Sequence, residues 1–349
     1  MTIDRVSQPV RITDVAALAG VSIGTASKAL NGTGQLRDAT RARVKDAAEK
    51  LGFVGDARAR ALSSGRTYTV GMITTDSFGR FSIPVLLGAE DALSAGQMAV
   101  LLCDTRDDHV REAHYLRSLA ARGVDGIIVT GRSADPRPPI DVPMPVVYAF
   151  TPSTSDADVS ITLDDAAGSS EVASHVLSLG RQRVAIVTGP ARHRSAERRV
   201  AGAVSVLGSR LVGEPLYGEW SERWGRQAVD VLARGVGLAS AGTGAGAASG
   251  SGALGVDAIV CGSDQIARGV CDRLREVGLS VPDDVAVAGF DDWDVMALAS
   301  RPPLTTVDLR LEELGRVAGR ALLDLIDGGA AASSAVTPTL VIRESTIGA

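Results

Sequence analysis

Residues Ile12 to Asn31 constrain this chain more than any other stretch, because they confine two short helices to either side of one glycine. Val15, Leu18 and Ala19 recur at the i, i+3, i+4 spacing of a single buried face. Thr13 and Asp14 carry side-chain oxygens able to cap a helix start. Gly20 supplies the left-handed residue that ends a helix. Ser22 can cap the second helix. Its inward face is then Ala26, Ala29 and Leu30, and its outward face Ile23, Gly24, Ser27, Lys28 and Asn31. A third amphipathic helix is predicted over Asp38 to Leu51. It buries Val44, Ala47, Ala48 and Leu51 and leaves Arg41, Arg43, Lys45 and Lys50 in water. Three short helices with a glycine turn between the first two form a helix-turn-helix, which seats its second helix in the major groove of DNA.

The charge distribution agrees. Residues 1–66 hold 11 Lys or Arg against 6 Asp or Glu, a balance of +5, in a chain whose net charge is −5. Residues 67–349 therefore carry −10. A basic head on an acidic body suits a protein whose head alone meets phosphates.

With 349 residues the chain is long enough for about two domains. Cys103, Cys261 and Cys271 show neither disulfide nor metal spacing, and the four histidines are scattered. No metal and no cofactor is expected. No apolar leader and no run approaching a membrane span is present, so neither secretion nor insertion is expected; the cytoplasm is the expected compartment.

After Arg66 short apolar runs alternate with amphipathic helices. The runs are Tyr68–Thr74, Ala99–Cys103, Gly126–Thr130, Val146–Phe150, Val184–Thr188, Ala258–Cys261 and Val285–Gly289. Helices are predicted between them at Val85–Ala95, Arg111–Ala121, Ala166–Leu179 and Gln265–Val277. This is βαβ alternation, with buried parallel strands covered by helices on both faces. Several strand ends carry polar residues: Asp76, Asp104-Thr105, Arg192 to Arg199, Ser263-Asp264 and Asp291-Asp292. Ligands in such sheets sit beyond the carboxyl ends of the strands, which predicts a polar ligand between two α/β lobes. Each of these residues has a blander use in capping a loop or helix. Residues 235–255, nearly all Gly, Ala and Ser, are expected to form a flexible loop. Neither a strand nor a βαβ unit frames that segment, which argues against nucleotide binding there.

With these residues in place, the chain resembles the LacI/GalR family of transcription regulators over some 330 residues. The resemblance runs through Asp14-Val-Ala-Ala-Leu-Ala-Gly-Val-Ser22, Thr25-Ala-Ser-Lys-Ala-Leu-Asn31-Gly and Arg41 to Phe53. It continues through Ala59-Arg-Ala-Leu62, Val70-Gly-Met-Ile73, Val124-Asp-Gly-Ile-Ile-Val129 and Arg199-Val-Ala-Gly202. It ends with Ser263-Asp264-Gln-Ile-Ala, Val287-Ala-Gly-Phe-Asp291-Asp292 and Pro302-Pro-Leu-Thr-Thr-Val307.

The resemblance implies an all-α helix-turn-helix headpiece plus hinge helix (residues 1–66), joined to a two-lobe, periplasmic-binding-protein-like α/β domain with doubly wound parallel sheets (residues 67–349). It implies a homodimer bound to double-stranded, palindromic operator DNA. Ile23, Gly24 and Lys28 would face the bases, and Ser22, Thr25, Ser27 and Asn31 would hold phosphates. Ile23 and Gly24 have no hydrogen-bonding side chain, so Lys28 would be the main polar reader, suited to guanine O6 and N7. Ala59 and Leu62 fall on the implied hinge helix, with Leu62 as a minor-groove wedge beside Arg58 and Arg60. Gly55 and Asp56 stand where the family commonly has proline and asparagine, and Arg37 where it often has a serine cap.

For the effector, the resemblance implies Phe81, Arg199, Trp220, Ser263 and Asp291, with arginine and aspartate gripping hydroxyls from opposite lobes. That set suits a sugar or related polyol. Tyr148-Ala-Phe150 replaces a usual aspartate and Ser263 a frequent asparagine, so a nucleoside, an organic acid or a phosphosugar is kept as an alternative. His193 shares a loop with Arg199 and is expected to be solvated. No leucine-heptad tail follows Thr339 to Ile342, and a dimer rather than a tetramer is expected.

Two other classes compete. Gly20-Val-Ser22-Ile-Gly24 spells a serine-hydrolase elbow, but that motif works on a strand-to-helix turn, and here a helix precedes it. A solute-binding protein of the same two-lobe fold would need export and would leave the basic headpiece unexplained.

Overall fold

Gly20 adopts φ 61° and ψ 42°, and its amide donates to the carbonyls that close the first helix. The three N-terminal helices are α1 (Ile12–Ala19), α2 (Ile23–Leu30) and α3 (Asp38–Leu51). They bury Val15, Ala16, Ala19, Ala26, Ala29, Val44, Ala47 and Ala48 together. Leu18, expected on the buried face of α1, is exposed; Ala16 takes its place. Thr13 and Asp14 lie inside the first turn of α1 rather than ahead of it. Arg11 holds the cap position, and its amide donates to the Asp14 carboxylate at 2.8 Å. These facts come from a computed structural model that describes residues 10–30, 34–53, 65–94, 98–240 and 254–348. The chain divides into two compact units, Met1–Thr67 and Tyr68–Ala349.

The second unit contains two parallel sheets. The first comprises β1 (Thr69–Thr74), β2 (Ala99–Asp104), β3 (Gly126–Val129), β4 (Val146–Ala149), β5 (Val159–Leu163) and β11 (Ser334–Val336), in the order β11-β5-β4-β3-β1-β2. The second comprises β6 (Val184–Thr188), β7 (Leu216–Tyr217), β8 (Ala258–Cys261) and β9 (Ala286–Ala288), in the order β7-β6-β8-β9. An antiparallel ribbon of β10 (Thr306–Asp308) and β12 (Thr339–Val341) lies outside both sheets.

Helices α4 (Ser82–Ser94) and α5 (His109–Arg122) cover the first sheet; α6 (Asp165–Ser178), α7 (Arg194–Leu207), α8 (Glu222–Ser240) and α9 (Asp264–Glu276) belong to the second lobe. Helix α10 (Leu311–Ile326) returns to the first lobe and packs along α4. The central strands β3, β6 and β8 are buried along their whole length, which explains why they read as unbroken apolar runs. Helix α8 continues to Ser240, six residues into the 235–255 stretch expected to be a loop, and Leu254, near the other end of that stretch, is buried in the core. Residues 241–253 lie outside the described residues.

Candidate functional site

On α2 the buried side is Ala26 and Ala29, while Ile23, Gly24 and Lys28 are exposed. The row read as base-facing is therefore on the open face, and no ion pair involves Lys28 among the described residues. Ser22 accepts a hydrogen bond from the Thr25 amide at 3.1 Å, and the two hydroxyls are 2.9 Å apart. Ser22 thus caps a helix that follows another helix, the opposite of a hydrolase elbow. Ser27 is half-buried in the next turn. Asn31, Ala59 and Leu62, with the implied hinge, lie outside the described residues.

In the second unit the order of strands reverses at two places: between β1 and β3, and between β6 and β8. Loops leaving such neighbours part in opposite directions and open a crevice at their carboxyl ends. The hydroxyls of Thr130 and Thr188, which stand at the ends of β3 and β6, are buried without a hydrogen-bond partner among the described residues. A buried polar atom left so costs about 1–3 kcal/mol, which marks both ends as places for polar company. A cavity of about 1340 Å³ opens at the first crevice, lined by Phe81, Arg80, Arg132, Asp291, Trp293 and Arg310 among others.

Arg80 and Asp291 meet in the wall of this cavity. Arg80 stands in the turn between β1 and α4, a turn fixed by Asp76, whose carboxylate accepts from the amides of Phe81 (2.7 Å) and Ser82 (2.9 Å). Its guanidinium donates to the Asp291 carboxylate and, at 3.2 Å, to Gln265 Oε1. It also lies 4.3 Å from the centre of the Trp293 ring and 4.8 Å from that of Phe81. Phe81 in turn stacks on Phe150 at 4.9 Å.

Behind Asp291 sits Arg199, almost fully buried. It donates to Asp165 at 2.8 Å, to the Gly262 carbonyl at 2.7 Å and to Asp291 at 3.1 Å, and it lies over the Phe290 ring at 3.9 Å. The result is a run of alternating charge, Arg80–Asp291–Arg199–Asp165. Burial holds the Asp165 carboxyl above its usual range against the pull of Arg199. Asp264, at the start of α9, is pushed up to about 8 by burial and by the charge of Asp291, although Thr306 and the Trp293 amide donate to it.

Of the five residues implied for the effector, Phe81 and Asp291 line the cavity. Arg199 and Asp291 are not on opposite lobes; both belong to the second and bond to each other. The residue that meets Asp291 from the first lobe is Arg80, which the sequence reading does not single out. Its signal was its position at a strand end, immediately before Phe81. Ser263 is buried and caps α9 by accepting from the Ile266 amide at 3.3 Å. Trp220 lies against Gly189, where a Cβ would fall 2.1 Å from the indole, and donates to His193 Nδ1 at 2.9 Å. His193, expected to be solvated, is half-buried and engaged there.

Both units find matches among known proteins. Residues 11–56 match bacterial regulatory proteins of the lacI family. Residues 67–210 match the periplasmic binding proteins and sugar binding domain of the LacI family, and residues 173–346 a periplasmic binding protein-like domain. The HTH-type transcriptional regulator MalR of Streptomyces coelicolor is 32% identical, covering 97% of each chain. The HTH-type transcriptional repressor PurR of Aliivibrio fischeri is 30% identical over 90% of this chain and 91% of its own. Among solved structures, a transcriptional regulator CelR–cellobiose complex superimposes with a TM-score of 0.63 at 27% identity, covering 96% of this chain and 99% of that one. The lac repressor dimer bound to operator and the anti-inducer ONPF superimposes with a TM-score of 0.70 at 24% identity over 97% and 99%, a likeness of fold.

Proposed function

The chain belongs to the LacI family of bacterial regulatory proteins, and on that premise we propose a dimeric repressor that reads a palindromic operator and is switched by a sugar or related polyol in its interlobe cavity. It is a DNA-binding transcriptional regulator that responds to an effector. The observation that carries the reading is the exposed row of Ile23, Gly24 and Lys28 along α2, held outward by the buried Ala26 and Ala29. Lys28 alone on that row can donate to a base edge, and it selects guanine. Operator contacts by Asn31, Ala59 and Leu62 belong to the same proposal.

The effector is assigned to the cavity because its walls combine flat rings, Phe81 and Trp293, with convergent charged groups, Arg80 and Asp291. Rings cover the apolar face of a sugar, and carboxylate and guanidinium bond its hydroxyls. Dimerisation is assigned to the edge of the first sheet, where Ile83 and Leu87 of α4 and Leu101 and Leu102 of β2 are exposed. The reading places the protein in the cytoplasm beside DNA and gives it no catalysis. No helix among the described residues is long and apolar enough to cross a membrane.

Selection of bound sequences from a random duplex pool tests the DNA half. A palindromic consensus is expected, and Lys28→Ala should weaken binding to it by about 1–3 kcal/mol while relaxing base preference at one position per half-site. Selection of no consensus would overturn it. Thermal-shift titration with cellobiose, other sugars and nucleosides tests the effector half, with Asp291→Asn as the control that should abolish any shift.

A further inference from the structure

The guanidinium of Arg80 is bound as a small flat ligand would be. It lies over both the Phe81 and the Trp293 ring, at 4.8 and 4.3 Å from their centres. It is held at one edge by the Asp291 carboxylate and by Gln265 Oε1, and its side chain is only 16% exposed. Trp293, Asp291 and Gln265 all belong to the second lobe, and Arg80 to the first. The remaining oxygen of Asp291 is taken by Arg199. A cation in contact with two aromatic rings and a desolvated carboxylate is a strong local arrangement.

We propose that Arg80 is a ligand built into the chain: it occupies the effector's place on Asp291, clamps the two lobes together when no effector is bound, and is the residue an effector has to displace. The proposal rests on the reading of the cavity as the effector site. It makes the resting state a self-occupied, closed one. It also makes selectivity a matter of exchange, since an effector binds by the margin with which it satisfies Asp291, Trp293 and the released guanidinium better than they satisfy one another. A second interlobe bond gives an independent gauge of closure: the Arg194 amide at the start of α7 donates to Asp135 of the first lobe at 2.8 Å.

The test is hydrogen–deuterium exchange on the full-length, effector-free protein, comparing wild type with Arg80→Ala and Arg80→Lys. Removing the clamp should speed exchange about tenfold in three segments at once: residues 78–83, residues 291–296 and the amide of Arg194. Lysine, which keeps the charge but loses the planar fork, should restore it only in part. Low-millimolar guanidinium ion should slow exchange again in Arg80→Ala, and should not do so in Arg80→Ala/Asp291→Asn. Unchanged rates at Arg194 in Arg80→Ala would overturn the clamp, as would a guanidinium effect equal in wild type and variant. Should Arg80→Ala fold poorly, Arg80→Gln, close in length and neutral, replaces it with the same expectations. These readouts need no effector, so a thermal-shift screen without a hit would count against the effector reading alone.

Discussion

Asp291 does more than any other side chain to join the parts of the cavity, because it is bonded by one arginine from each lobe. Its carboxylate was legible in the sequence as a strand-end acid, and Arg199 as a strand-end base. Their mutual bond was not legible, because 92 residues separate them and only the sheet order β6-β8-β9 brings the helix after β6 beside the loop after β9. Arg80 was illegible for a different reason: an arginine in a turn is usually solvated, and only the second lobe buries this one. Arg199→Met tests how much the buried run of charge matters. It leaves Asp165 and Asp291 without their shared counter-charge, and removing one partner of such a set typically costs about 3–5 kcal/mol. Urea unfolding of the variant should show a loss of that size; a loss under about 1 kcal/mol would mean that water already reaches both carboxylates. Asp264 gives a pH signature. Its folded pKa of about 8 lies above that of an unfolded aspartate, so between about pH 4 and pH 8 the native chain holds the extra proton. The stability tied to this group is therefore complete below the unfolded value and drains away as pH rises toward 8. Asp264→Asn should flatten that slope. The wild-type urea midpoint should fall more than the variant's between about pH 5 and pH 8, and equal falls would refute the assignment.

Elements followed the sequence where burial is one-sided or complete. Helices α1 to α3 obey the 3.6-residue period, and β6 and β8 fall on the apolar runs Val184–Thr188 and Ala258–Cys261. The strands that escaped notice are short or only partly buried. Val159–Leu163, paired on both sides but half-buried, mixes Ser160 and Thr162 into its run, and Leu216–Tyr217 and Ser334–Val336 are short edge strands, so none of the three shows a continuous apolar run. Helix α8 overran its expected end for a packing reason. Trp224, Ala228, Val229 and Leu232 anchor it to the second lobe's core, and elongating an anchored helix avoids the cost of nucleation, although Gly235 and Gly237 each cost about 1 kcal/mol relative to alanine. At the headpiece, local rules dominate, so single residues have predictable effects. Ser22→Ala removes the hydroxyl that accepts from the Thr25 amide and should cost about 1 kcal/mol of headpiece stability, measurable as faster amide exchange along α2. Gly20→Val should cost more, because a β-branched residue is strained at φ 61°. The ranking Gly20→Val worse than Ser22→Ala is the check; the reverse order would mean that the turn relaxes.

At the scale of the whole molecule, the proposed reading of a palindromic operator by a pair of headpieces requires two chains held together by their α/β units. Strand β2 ends the first sheet, so its outer edge offers unpaired backbone groups. Leu101 and Leu102 on that strand are 38% and 40% exposed, and Ile83 and Leu87 on the neighbouring α4 are 42% and 48% exposed. Leu102 shares its face of β2 with Val100, which packs in the same core as α4, so Leu102, Ile83 and Leu87 lie on the α4 side of that edge while Leu101 faces the other side of the sheet. Large aliphatic side chains grouped so are rarely left in water by a monomer. Paired with the same patch of a second copy, they would bury apolar surface isologously. Leu87→Arg together with Leu102→Arg places two charges in that patch without touching the core, so folding should be unaffected within about 0.5 kcal/mol. Sedimentation should then give a monomer where the wild type gives a dimer. Operator affinity should fall steeply in the same variant, because a lone headpiece keeps only one half-site's contacts. A variant that remains dimeric would move the interface elsewhere on the unit, and one that turns monomeric yet binds operator as tightly as before would remove dimerisation from the mechanism of DNA reading.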